Sequence, residues 1–228
     1  MKIFIFLAIF SLSSFSYAQL LISPTRIEID GSRSQTTKVI VENIGDTPIR
    51  LDISPHYIET SRANMVRNNL NIAKIEDNSS KVRISPPVIR KLEPNQRRTI
   101  RVQVLAQTED GEFRTYLKFS PTKLNNEKEN VKNVSSQQSN LNINLTVHSY
   151  IPVYQAKGTV KDDVSYTCDN DAFSIQNHGV HQFNAWLDSP GTNSENLVLL
   201  RESTLINQRN KGQIFTVRKD GKTLYKCQ

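Results

Sequence analysis

From Leu141 to His148 the run LNINLTVH places apolar side chains at Leu141, Ile143, Leu145 and Val147 and polar ones at Asn142, Asn144, Thr146 and His148. Successive side chains of a strand point to opposite faces, so the pattern predicts a strand with one apolar face, continuing through SYIPVY to Tyr154. Comparable short runs fill the chain before it. LLISPTRIEID is followed by TTKVIVENIGDTPIRLDISPHYIE, whose two alternating halves part at Gly45-Asp46, and then by KVRIS, RRTIRVQVLA and GEFRTYLKFS. Each run is bounded by Pro, Gly, Asn or Asp, residues that turn the chain or end a ladder. No segment sustains a 3.6-residue period, although ETSRANMVRNNLNI, weakly patterned, allows a helical turn. Seven or so strands in about 135 residues predict an immunoglobulin-type β-sandwich.

After Tyr154 the texture changes. QAKGTVKDD is short, polar and contains glycine, as linkers do. The runs VSYTC, AFSIQN, QFNAWLD, NLVLLR, QIFTVR and TLYKC then predict a second, smaller β-domain of roughly 70 residues. The expected organisation is therefore all-β, with domains at 19–154 and 155–228. The polar stretch from Pro121 to Asn140, rich in Asn, Ser, Gln and Lys, buries too little surface to offset ordering entropy and reads as a mobile connection between two long strands.

Residues 1–18, MKIFIFLAIFSLSSFSYA, change the picture of where these domains work. One Lys, an apolar run from Ile3 to Phe10 and a Ser-Tyr-Ala ending have the layout of a secretory signal peptide cut after Ala18. The alternative, a membrane anchor, needs a longer apolar run. No other stretch approaches that length, so no membrane insertion is expected after cleavage. Cys168 and Cys227, the two cysteines, both lie beyond the linker. In an oxidising compartment they predict one disulfide stapling the smaller domain, with a pair of free or redox-active thiols as the alternative. The formal charge of +7 is spread along the chain without a nucleic-acid-binding motif, so no nucleic-acid partner is expected.

Candidate chemistry is sparse. His178 and His181 in HGVH have no acidic or thiol neighbour in sequence, so no metal site is expected. There is no G-x-S-x-G nucleophile elbow and no phosphate-binding glycine loop. The chain reads as a non-enzymatic binding protein without cofactor.

Several segments, taken in order, carry a resemblance. ISPTRIEID, the V-x-N-x-G-D-x-P segment from Val41 to Pro48, ISPPVIRKLEPNQRRTIRV, GEFRTYLKFSP and a strand ending in YIPVY look like the pilus assembly chaperones of the chaperone–usher pathway, the PapD-like family. The forms GEFRTYLKF and IPV look closer to its archaic branch. The likeness covers residues 20 to 154 well and the second domain loosely.

The resemblance implies two immunoglobulin-like domains in an L shape, a periplasmic location, fimbrial or pilin subunits as partners and delivery to an outer-membrane usher. It implies that Leu141, Ile143, Leu145 and Val147 enter a subunit's open groove as a donated strand, a case of β-augmentation. The alternative is an inward-facing strand of the chain's own core. It also implies a basic anchor for the subunit's terminal carboxylate. Arg26 in SPTRIEI matches the family's first anchor, and a guanidinium fork suits a carboxylate. Where the family has a second, lysine anchor this chain has Pro152, so either another base substitutes, with Arg90, Arg114 and Lys118 as candidates, or the anchor is built differently. The rival function is an exported, immunoglobulin-like structural or adhesive surface protein.

Overall fold

The computed structural model describes residues 20–60, 64–124, 146–191 and 193–228. Strands form where apolar and polar side chains alternate. The earlier ones are β1 (Leu20–Ser23), β2 (Ile27–Asp30), β3 (Gln35–Asn43), β4 (Ile49–His56), β5 (Met65–Arg67), β6 (Val82–Ser85), β7 (Val88–Leu92), β8 (Arg97–Val104), β9 (Gly111–Lys123) and β10 (Ser149–Lys157), with a short helix α1 (Ile72–Glu76). Then follow β11 (Val164–Cys168), β12 (Ala172–Asn177), β13 (Phe183–Asp188), β14 (Glu195–Leu199), β15 (Ser203–Gln208), β16 (Phe215–Lys219) and β17 (Lys222–Cys227).

These strands make two sandwiches. In the first, the sheet β1-β3-β8-β6 and the sheet β2-β10-β9-β4-β7 enclose a core. Val39, Val41, Ile100, Val102 and Val104 meet Leu51, Ile53, Leu117, Phe119, Ile151 and Val153 there. In the second, β11-β12-β15-β5 and β14-β13-β16-β17 enclose Phe173, Ile175, Leu205, Phe183, Leu187, Leu197, Phe215 and Val217. Burying each such side chain contributes about 1.5–3 kcal/mol, which is why alternation alone predicts the layers. The all-β, two-sandwich architecture expected from the sequence is present.

Three local readings are corrected. LLISPTRIEID is two strands in different sheets: β1 pairs antiparallel with β3, whereas β2 runs parallel to β10. The ladder breaks at Pro24, which has no N–H to donate. ETSRANMVRNNLNI yields the strand β5 and the start of α1 instead of a helical turn over its length. β5 is only three residues long, too short for a period, and its partner β15 is remote in sequence (Ser203↔Arg67, Leu205↔Met65). β9 extends to Lys123 because its ladder with β4 continues through Leu51↔Pro121 and Ile49↔Lys123, so the polar connection begins later than Pro121. Of the run LNINLTVH, Leu141, Ile143 and Leu145 lie outside the described residues. Thr146 to His148 are not in a strand, and β10 begins at Ser149.

Cys168 and Cys227 are joined, with Cα atoms 5.6 Å apart and a sequence separation of 59. The bond ties β11 to β17, and so one sheet of the second sandwich to the other. Replacing both cysteines by serine is expected to lower stability by about 2–4 kcal/mol. Denaturant unfolding of the double variant beside the oxidised parent checks this.

Candidate functional site

The outer face of the five-stranded sheet carries the side chains that its core does not take. Along β9, Thr115, Leu117 and Phe119 point inward, so Arg114, Tyr116 and Lys118 share the opposite face. Register then fixes their neighbours: Arg114 lies across from Tyr154, Tyr116 from Pro152, and Lys118 from Tyr150. On the other side of β9, His56 is opposite Tyr116 and Ser54 opposite Lys118. The rings gather above Pro152. Tyr150 packs edge-on to Tyr116 with centroids 6.5 Å apart and tilts against His56 at 5.8 Å.

The three arginines named from the sequence have different surroundings. Arg26 precedes β2 and lays its guanidinium over the Tyr154 ring, 4.7 Å from the centroid. It pairs with Glu28 yet keeps 59% of its side chain exposed, so it can still reach a ligand. Arg114 is buried: its Nε is 3.4 Å from Glu76 Oε2, and its Nη1 donates to Thr60 Oγ1 at 3.0 Å. Arg90 is exposed on β7, the far edge strand. With β4, β9 and β10 between them, Arg90 and Arg26 are roughly 19 Å apart across the sheet. Arg26 and Arg114 thus flank Tyr154, and Arg90 is separate. Lys118, half-buried, makes no ion pair with any described residue.

Glu76 holds a charged cluster together. Its carboxylate is fully buried, pairs with Arg67 as well as Arg114, and accepts the Tyr57 hydroxyl at 3.2 Å. Burial, followed by the Glu76 charge, pushes the Tyr57 phenol far above its ordinary value, so it stays a donor.

β10 has an open edge. One side pairs with β9 along its whole length, Ser149↔Phe119 to Lys157↔Gly111, but pairing with β2 starts only at Val153. Among the described residues no strand covers the other side of Ser149 to Pro152. This gap follows from the sheet switch at Pro24, which takes β1 away to β3. Immediately upstream, Val147 is 65% exposed.

The aromatic cluster of His56, Tyr116 and Tyr150 escaped the sequence reading. Its signal was available, since every second residue of β4, β9 and β10 had to lie on the face away from the core. The histidines of HGVH diverge, His178 Nε2 meeting Ser165 Oγ and His181 Nε2 the Lys157 carbonyl, both at 2.9 Å.

No protein-family model and no curated protein matches the chain. Solved structures do match in fold. A chain of the Salmonella enterica SafA pilin–SafB chaperone complex aligns with a TM-score of 0.51 at 13% identity, over 92% of this chain and 95% of that one. The class 5 fimbriae chaperone CfaA aligns with a TM-score of 0.54 at 9% identity, over 91% and 96%. The E. coli chaperone DraB aligns with a TM-score of 0.50 at 17% identity, over 91% and 96%. The protein therefore has the two-sandwich fold of chaperone–usher pilus chaperones, along nearly its whole length. These three matches do not single out the archaic branch.

Glu112 on β9 gives this region a pH signature. Burial raises its carboxyl above the ordinary glutamate range, against the lowering effect of the Gln182 N–H. The folded chain then holds a proton that the unfolded chain releases, so this group lowers stability as pH rises toward the folded value. In Glu112→Gln that penalty is gone. The variant should match the parent in acid and exceed its melting temperature increasingly as pH rises above the ordinary glutamate value; melting curves across pH check the divergence.

Proposed function

We propose that the protein is a periplasmic chaperone that captures fimbrial subunits by lending them a strand and passes them to an outer-membrane usher. The observation that carries this reading is the edge of β10 at Ser149 to Pro152, open among the described residues. An incoming strand can add there, because unpaired N–H and C=O groups along a sheet edge template another chain. The donated side chains are Leu141, Ile143, Leu145 and Val147. The exposure of Val147 supports an outward role at that position. The fold shared with pilus chaperones supports the same reading, as does the export signal expected at residues 1–18. The mechanism uses no cofactor, metal or nucleotide and no reaction; the chaperone supplies apolar surface and backbone partners that the subunit lacks.

The subunit's terminal carboxylate is held by Arg26 and Lys118. Both lie on the outer face on either side of β10, with Pro152 between their strands. Strand spacing places their Cα atoms roughly 12 Å apart, within reach of two long side chains converging on one carboxylate. Arg114 is committed to Glu76 and Arg90 is too far away, so neither serves as the second base. The Tyr150 and Tyr154 rings flank the approach.

Ile143→Asp should abolish capture of a co-expressed fimbrial subunit while the free chaperone keeps its melting temperature. A charge in an apolar groove forfeits the 1.5–3 kcal/mol of a buried side chain and adds desolvation, a loss of at least roughly a hundredfold in affinity. If Ile143→Asp instead unfolds the free protein, the segment is core and the donor assignment fails. Arg26→Ala and Lys118→Ala should each weaken capture by about ten- to a hundredfold, the worth of a charge-assisted hydrogen bond. Unchanged affinity in either variant would reject that residue as an anchor.

A further inference from the structure

Between the end of β4 at His56 and the start of β6 at Val82, the chain reaches the second sandwich and returns. We propose that this excursion is a clasp: it completes the second sandwich with an edge strand and couples the two sandwiches into one cooperative unit.

Its first foot is β5, which lies beside β15 at the end of the sheet β11-β12-β15-β5. Asn68 N–H donates to the Glu202 carbonyl at 2.9 Å, and Ile206 N–H donates to the Asn64 carbonyl at 2.8 Å. Side chains repeat the link, Thr204 Oγ1 donating to Asn68 Oδ1 at 2.9 Å and Asn69 Nδ2 to Glu202 Oε2 at 2.8 Å. Met65 packs on the second core. Without β5, β15 would itself be a sheet edge, with Ile206 already 44% exposed.

The second foot stands on the first sandwich. Asp77 bridges to Arg114 of β9, and Asn78 N–H donates to the Arg114 carbonyl at 3.2 Å. The Asn78 side chain enters a buried amide network, donating to Gln155 Oε1 at 2.7 Å and accepting from Gln107 at 2.6 Å. Glu76 ties the feet together, since its carboxylate meets Arg67 at the end of β5 and Arg114 in β9. A buried ionic cluster adds little net stability compared with apolar packing, but it tolerates few geometries. Here that selectivity fixes one sandwich against the other. The clasp does not depend on the proposed function, although Arg114 connects it to the proposed binding face.

The test uses the full chain. Val66 is the middle residue of β5 and 55% exposed, so Val66→Pro removes its ladder N–H and leaves the core intact. The bonds at Asn64 and Asn68 put the intervening Val66–Thr204 pair in a hydrogen-bonded position. Parent and Val66→Ala should unfold in one calorimetric transition. Val66→Pro should unfold in two, with amide exchange over Ser203 to Ile206 accelerated by roughly tenfold or more. Glu76→Gln, which keeps every backbone bond, should also separate the transitions and serves as the decisive variant if Val66→Pro does not fold. Two transitions in the parent, or one transition and unchanged exchange in the folded variants, would overturn the clasp.

Discussion

The constraint on which the rest depends is the pairing of backbone groups at the first strand. Every N–H and C=O of a sheet needs a partner, and an edge that lacks one attracts another chain. By crossing from one sheet to the other at Pro24, the chain pairs β1 with β3 and β2 with only the later part of β10. Among the described residues the early part of β10 is left with one paired side. The exposed Val147 lies directly upstream, Arg26 lies just after the crossing, and Tyr116 of the aromatic cluster lies across from Pro152. The sheet switch thus sets both the opening and the groups around it.

A second theme is how carboxylates and arginines are divided. Arg114 and Arg26 flank the same tyrosine, yet burial separates their roles. Arg114 is enclosed with Glu76, Arg67 and Tyr57, where a charged group is tolerated because it is paired. Arg26 stacks on Tyr154 and stays largely exposed, at less cost in desolvation. An exposed guanidinium can trade its surface contact with Glu28 for a ligand, because surface ion pairs contribute little. The enclosed one cannot do so without giving up its contacts with Glu76 and Thr60.

Much of the fold was legible because burial of one strand face enforces a two-residue period. β3, β8 and β9 follow the alternation of VIVEN, TIRVQV and TYLKF directly, and the pairing of Cys168 with Cys227 followed from their number. What was hidden depended on long-range contact. β5 has three residues and no pattern of its own; it is a strand because β15 offers an edge. Arg114 falls on the outward side of β9 by period and would be solvated there, but the segment returning at Glu76 to Asn78 covers it. The split of LLISPTRIEID rests on which strand each half meets, the inward positions passing from Leu20 and Ile22 to Ile27 and Ile29 across Pro24. At the candidate site, Arg26 was named from its motif and its anchoring role is a proposal, whereas its separation from Arg90 follows from strand order.

The central claim is the proposal that the segment before β10 pairs with a subunit and not with the protein's own core. Amide hydrogen exchange over residues 141–147, measured for the purified protein alone and with a co-expressed fimbrial subunit, tests it most directly. The account predicts strong protection gained on complex formation, in an alternating pattern that continues into Ser149 to Pro152. Equal protection in the free protein and in the complex would contradict it.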